Sequence, residues 1–220
     1  MKPIDQINFT DPVERAISFA LAAHTGQKRS FALSGHSRLP REERESGYKV
    51  TFIIHPLDVA KRVWNWGAAT DLRMQGAVLH DVDEDTDYTL AMIHQFFGVA
   101  VAKLVEELTF HEDPEWDHAD KREKKLEYMG SFLHKSIDAL VIKVADRLCN
   151  VEDFAVTNPK YAPKYFAKAH PLFDAMYDRT EEMGKVLGRE TTDRIINDQR
   201  RVERRMKHLK AKAIKPLEDD

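Results

Sequence analysis

A single cysteine, Cys149, rules out a disulfide framework within the chain and fits a reducing compartment. No apolar run approaches the roughly 20 residues of a bilayer-spanning helix. The opening MKPIDQINFTDP lacks the apolar core of a secretory signal. The expectation is a cytoplasmic protein with no membrane partner. Charge of one sign is missing too, because 34 basic and 37 acidic residues leave a formal net charge of −3. That balance gives no global reason to expect nucleic acid as a partner. Internal repeats, low-complexity tracts and alternating runs joined by hairpin turns are also absent. What remains is 220 residues, 42% hydrophobic and 32% charged, enough to bury one substantial core.

The periodicity is helical nearly throughout, so the expected fold class is all-α. In TDPVERAISFALAAH, Asp11 is the expected N-cap, Pro12 takes the first helical position and Glu14 completes a capping box. HPLDVAKRVWNWG starts at Pro56 and stops at Gly67, and TDLRMQGAVLHDV follows as a third helix. TLAMIHQFFG and VAVAKLVEELT are shorter helices broken at Gly98. KREKKLEYMGSFL and SIDALVIKVADRLCNVEDF come next, then helices over about 164–187, kinked at Pro171, and about 191–212. The polar stretch GQKRSFALSGHSRLPREERESGYK is too long for an ordinary connection. Its Arg38, Arg41 and Arg44 alternate with glutamates, which suits a solvated loop. Near the C-terminus, Ile195, Val202, Met206 and Leu209 form an apolar stripe on a basic helix. That stripe suits docking on the chain's own bundle or on a second copy, which leaves a homo-oligomer open. The expected division is therefore 1–190 as the main domain and 191–220 as a basic amphipathic helix and tail. Isolated histidines such as His24 and His94 suit caps or surface, and Trp64, Trp66, Phe96 and Phe97 suit the core.

Three separated places set metal-type ligands on apolar helices: His55 in FIIHPLDVA, the pair His80–Asp81 in AVLHDV, and Asp146 in IKVADRLCN. Two imidazoles and two carboxylates make a mixed nitrogen and oxygen set, suited to Mn²⁺ or Fe²⁺ as well as Zn²⁺. Adjacent helical residues diverge by about 100°, so His80 and Asp81 can embrace an ion at the helix edge. A helical bundle with the site in its core brings the other two ligands. Glu84 and Asp85 follow His80 and Asp81 by one turn, where carboxylates can orient a water or exchange protons with it.

The blocks AAHTGQKR, IIHPLDVA, LHDVDEDT, FFGVAVAKLVEELT and IKVADRLCN, in that order over about 13–155, resemble the hydrolase domain of the RelA/SpoT family. That family is a branch of the HD-domain phosphohydrolases. With no synthetase-like segment after residue 190, the chain looks like a single-domain, animal-type member. The resemblance implies an Mn²⁺ enzyme that takes pyrophosphate from the 3′ position of ppGpp and pppGpp. It implies His55, His80, Asp81 and Asp146 as metal ligands, with Glu84 and Asp85 as catalytic acids. It further implies Arg29 against the nucleotide base, Asn150 on the ribose and Tyr165 lining the same pocket. The chain departs from the family pattern at Asp83, Cys149 and Ser30, and in the length of the segment from Arg29 to His55. Two other readings stay open: a phosphatase of NADPH or another nucleotide, and a catalytically silent nucleotide-binding regulator.

Overall fold

A computed structural model of the chain describes residues 10–30 and 49–214. The first helix, α1 (Asp11–Ala23), leads into a two-stranded antiparallel ribbon, β1 (Lys28–Ser30) and β2 (Lys49–Thr51), in which Arg29 pairs with Val50. The loop arginines Arg38, Arg41 and Arg44 lie outside the described residues. Then come α2 (Ile54–Trp66), α3 (Asp71–Leu79), the single turn α4 (Val82–Asp85), α5 (Leu90–Phe97) and α6 (Val99–Leu108). The chain continues through α7 (His118–Ser131), the long α8 (Ile137–Thr157), α9 (Ala162–Lys168), α10 (His170–Asp178), α11 (Thr180–Leu187) and α12 (Arg189–Ile214). The fold is an all-α bundle bearing one short ribbon, whose three-residue strands are too brief to show an alternating pattern.

α8 is the central element, buried on most of its circumference from Ile137 to Ala155. It packs against α2, α3, α6, α9 and α12. Gly76 lets α3 approach closely: a methyl there would lie 2.6 Å from Leu104 Cδ2 and 3.1 Å from Ile142 Cδ1. Gly67, at φ 80°, ends α2 in the left-handed conformation that glycine adopts without penalty.

Several local expectations need correction. Thr10, not Asp11, is the N-cap of α1, and it makes no side-chain cap bond; its Oγ1 donates to Asp71 Oδ1 at 2.7 Å. The stretch 164–187 is three helices rather than one kinked helix. Pro171 sits in the first turn of α10, where its missing N–H costs nothing, and so it marks a start. Arg179 marks the second break, with Nη1 donating to the carbonyls of Phe132 and Lys135. Phe96 is 57% exposed rather than core, and of the two settings expected for His24 it takes the cap, at the end of α1, buried rather than on the surface. On α12, Ile195, Val202 and Met206 are buried against the chain's own bundle. Asp198 on the same helix accepts a hydrogen bond from Trp66 Nε1 at 3.1 Å.

Candidate metal centre and active site

The helices named above bring four ligand-type side chains to one point. His55 stands on the first turn of α2, His80 and Asp81 at the junction of α3 and α4, and Asp146 midway along α8. His55 Nε2 lies 3.2 Å from Asp146 Oδ1 and 3.6 Å from Asp81 Oδ2. His80 Nε2 lies 3.1 Å from Asp81 Oδ1 and 3.9 Å from Asp146 Oδ1. One ligand atom from each of His55, His80 and Asp146 falls within 4.8 Å of the others, and all three residues are buried.

The donor set fits a divalent cation. His80 Nδ1 sits 2.8 Å from the carbonyl of Ala77, which can only accept. That contact fixes a proton on Nδ1 and turns Nε2 toward the cluster, where burial lowers the His80 pKa but Asp81 outweighs it and raises it. His80 Nε2 is buried, and its near neighbours among the described residues are the carboxylate oxygens of Asp81 and Asp146. Burial alone would raise the Asp81 pKa, but His80 and His55 outweigh it and hold Asp81 well below the ordinary carboxylate range. Asp146 is likewise depressed: Lys143 and the hydrogen bond to His55 overcome its burial.

Sequence reasoning passed over the cations around this cluster. Lys143 Nζ is buried 3.3 Å from Asp146 Oδ2, and Arg147 Nε is 3.8 Å from the same oxygen. A lysine inside the apolar run ALVIKVAD was the available signal, since an unpaired buried ammonium is not tolerated. Asn150, one turn past Asp146, donates from Nδ2 to Asp146 Oδ1 at 2.5 Å, so it orients that carboxylate as well as lining the site. Tyr165 accepts a hydrogen bond from Arg147 Nη1. Arg29 is held in β1, and its side chain lies outside the described residues.

α4 presents both acids to this centre. Glu84 Oε2 accepts from Phe110 N at 3.3 Å. The Asp85 pKa rises to about 6, through burial first and then through the charges of Asp81 and Glu84. Asp83 points elsewhere: its Oδ1 accepts from Leu90 N at 2.7 Å, at the start of α5. A cavity of about 190 Å³ is lined by His55, Asp81, Glu84, Asp85, Asp146 and Asn150. It shares Glu84, Lys143, Arg147 and Tyr165 with a larger cavity of about 460 Å³. Arg122, Lys125, Lys168, Phe110, Tyr128 and Tyr161 line that second lobe, which is cationic and aromatic.

A family model described as the HD domain matches residues 30–183. The guanosine-3′,5′-bis(diphosphate) 3′-pyrophosphohydrolase MESH1 of Mus musculus is 33% identical over 139 residues, covering 63% of this chain and 73% of that protein. The Xenopus tropicalis MESH1 is 35% identical over 132 residues, 60% of this chain and 69% of the relative. The Homo sapiens MESH1 is 33% identical over 140 residues, 63% of this chain and 74% of the relative. A solved structure described as a metazoan ortholog of SpoT that hydrolyzes ppGpp has a TM-score of 0.66 at 22% identity, over 90% of this chain and 97% of that one, a likeness of fold. With four ligand-type side chains converging in an all-α bundle, and the family model spanning most of its length, the chain belongs to the HD-domain family and groups there with the MESH1 proteins.

Proposed function

We propose that this chain is a metal-dependent hydrolase that removes pyrophosphate from the 3′ position of guanosine 3′,5′-bis(diphosphate), and of the 5′-triphosphate analogue, leaving GDP or GTP. The observation that carries the proposal is the buried ligand cluster abutting both an acid pair and a cationic lobe, in a chain that groups with the MESH1 proteins. His55, His80, Asp81 and Asp146 would hold the ion, and Mn²⁺ is our first choice for this nitrogen and oxygen set. Such an ion, when bound, supplies Lewis acidity at a phosphoryl oxygen and makes water more acidic.

The chain's own groups do the rest. Asp85, its pKa raised to about 6 by burial and by its acidic neighbours, accepts a proton from the attacking water, and Glu84 orients that water. Water oxygen bonds to the 3′-linked phosphorus, the bond from that phosphorus to O3′ breaks, and O3′ leaves with a proton from solvent while Asp85 returns to solvent the one it accepted. Lys143 and Arg147 offset the charge gathering on the phosphoryl oxygens. The cationic lobe accommodates the nucleotide's remaining phosphates through Arg122, Lys125 and Lys168. Arg29 against the base, Asn150 on the ribose and Tyr165 on the cavity wall complete the proposed substrate contacts. Residues 1–190 would form the hydrolase body and 191–220 a basic helix and tail docked on it, acting in the cytoplasm.

Purified protein given Mn²⁺ and ppGpp should yield pyrophosphate and GDP. Phosphate release from NADPH without any product from ppGpp would overturn the substrate assignment. The NADPH alternative is not favoured, because the similar proteins are pyrophosphohydrolases of the guanosine nucleotide. The silent regulator is disfavoured by the presence of every ligand and both acids.

A further inference from the structure

His24 caps the C-terminal end of α1 and is 4% exposed. Its Nδ1 lies 2.8 Å from Gln27 Oε1, and Gln27 Nε2 lies 2.6 Å from the backbone oxygen of Asp85. The polarity of this chain of contacts is fixed by chemistry. A peptide oxygen only accepts, so the Gln27 amide nitrogen must face Asp85 and its oxygen must face His24. An amide oxygen also only accepts, so His24 must donate from Nδ1. Burial, the largest influence on His24, lowers its pKa and favours the neutral ring. Its Nε2 is then a buried bare acceptor with no hydrogen-bond partner among the described residues.

Gln27 is also tied to the segment that leads into His55. Its carbonyl accepts from Phe52 N at 3.1 Å, and Phe52 O accepts from His55 N at 3.0 Å. The Phe52 ring packs 4.5 Å from the His24 ring and 6.1 Å from that of His55. Thus one glutamine touches the end of α1, the base of the ribbon that bears Arg29, the entry to a metal ligand and the turn that bears both acids. That turn, α4, is only 4 residues long. Such a helix has no stability of its own and takes its orientation from outside contacts.

We propose that His24 and Gln27 are positioning residues that hold the Glu84–Asp85 turn in register with the ligand cluster. The proposal rests on the acid–base role given above to Asp85. A misplacement of about 1 Å at a reacting group costs on the order of a hundredfold in rate, which sets the size of the expected effect.

Three variants separate the donor from the ring. His24→Phe keeps the stacking on Phe52 and loses the donor. His24→Asn offers an amide nitrogen near the Nδ1 position, and Gln27→Leu removes both contacts. Nitrogen NMR of the metal-free wild type should show the Nδ1–H tautomer at His24. In Gln27→Leu the amides of Asp85 and Thr86, which close the α4 turn onto Asp81 O and Val82 O, should exchange at least about tenfold faster, one unit on the logarithmic scale of opening equilibria. With ppGpp and Mn²⁺, His24→Phe and Gln27→Leu should lower kcat by about 10- to 100-fold with little change in KM. His24→Asn should recover most of that loss, and the double variant His24→Phe/Gln27→Leu should be no worse than either alone. An Nε2–H tautomer, unchanged exchange in Gln27→Leu, or a kcat loss that merely tracks lost Mn²⁺ affinity would overturn the proposal. If the wild type fails to turn over ppGpp, the proposed activity falls, and the tautomer and exchange rates still decide the positioning role.

Discussion

Arg62 lies two turns along α2 from His55, and Glu152 lies six residues past Asp146 on α8, so their pairing keys the two ligand-bearing helices together. Arg62 is 7% exposed. Its Nη2 donates to Glu152 Oε2, its Nε is 3.3 Å from Asp198 Oδ2 on α12, and its Nη1 is 3.6 Å from Cys149 Sγ. Breaking a buried pair by removing one partner costs about 3–5 kcal/mol, because the other charge is stranded. Here Arg201 stays behind, 2.8 Å from Glu152 and 2.7 Å from Asp198, so neither carboxylate is wholly abandoned. Arg62→Met should therefore cost about 2–3 kcal/mol, near the lower end of that range. For a chain of this size that is a Tm fall of about 4–12 °C, at 2–4 °C per kcal/mol. Urea unfolding of the metal-free protein, with calorimetry for Tm, reads both quantities. Glu152→Gln added to Arg62→Met should win back part of the loss, since it removes the stranded charge. A cost below about 1 kcal/mol, or no recovery in the double variant, would refute the claim that this network locks α2 to α8.

Asp146→Asn should abolish Mn²⁺ binding by calorimetry together with turnover, whereas Glu84→Gln should spare binding and lower kcat by about a hundred- to ten-thousand-fold. Gly76→Ala gains about 1 kcal/mol of helix propensity but drives a methyl into Leu104 and Ile142, at about 1–3 kcal/mol. A net loss of about 1 kcal/mol should appear in urea unfolding and be relieved by Leu104→Val, while a net gain would refute the close approach. The Glu152 pKa is depressed because Arg62 and Arg201 outweigh its burial. As pH falls below the ordinary 4.5, the unfolded chain binds its proton first, so stability is complete above that pH and drains below it. Glu152→Gln should flatten the slope of unfolding free energy against pH in that acid range.

Much of the site was legible because its residue types are rare where they stand. A histidine or aspartate inside an apolar helical run, as at His55, His80 and Asp146, is expensive unless something answers it. The runs that carry them are long enough for helical periodicity to be unambiguous. What escaped the sequence was contact across distance. Nothing near Thr10 announces that its hydroxyl goes to Asp71, so the neighbouring Asp11–Pro12 looked like the better cap. His24 looked peripheral because the Phe52 ring that buries it lies 28 positions away. The three-residue strands beside Arg29 are too short to alternate, and the exposed Phe96 obeys the rule that apolar residues need not be inside.

The acidic run from Asp81 to Asp85 now divides by destination, which composition alone could not show. Asp81 faces the two imidazoles, and Asp83 turns away to accept from the first amide of α5. Glu84 and Asp85 stay on the cavity wall, where burial first, and then the charges of Asp81 and Glu84, raise the Asp85 pKa to about 6. Lys143 and Arg147 reach the same site from α8 and offset part of the negative charge there. Their positive charge is directed at Asp146, whose second oxygen, Oδ1, is the one nearest both histidines. The protein's cations thus sit on the far oxygen of the Asp146 carboxylate, and the near one faces the cluster. That asymmetry fits a cation proposed between His55, His80 and Asp146.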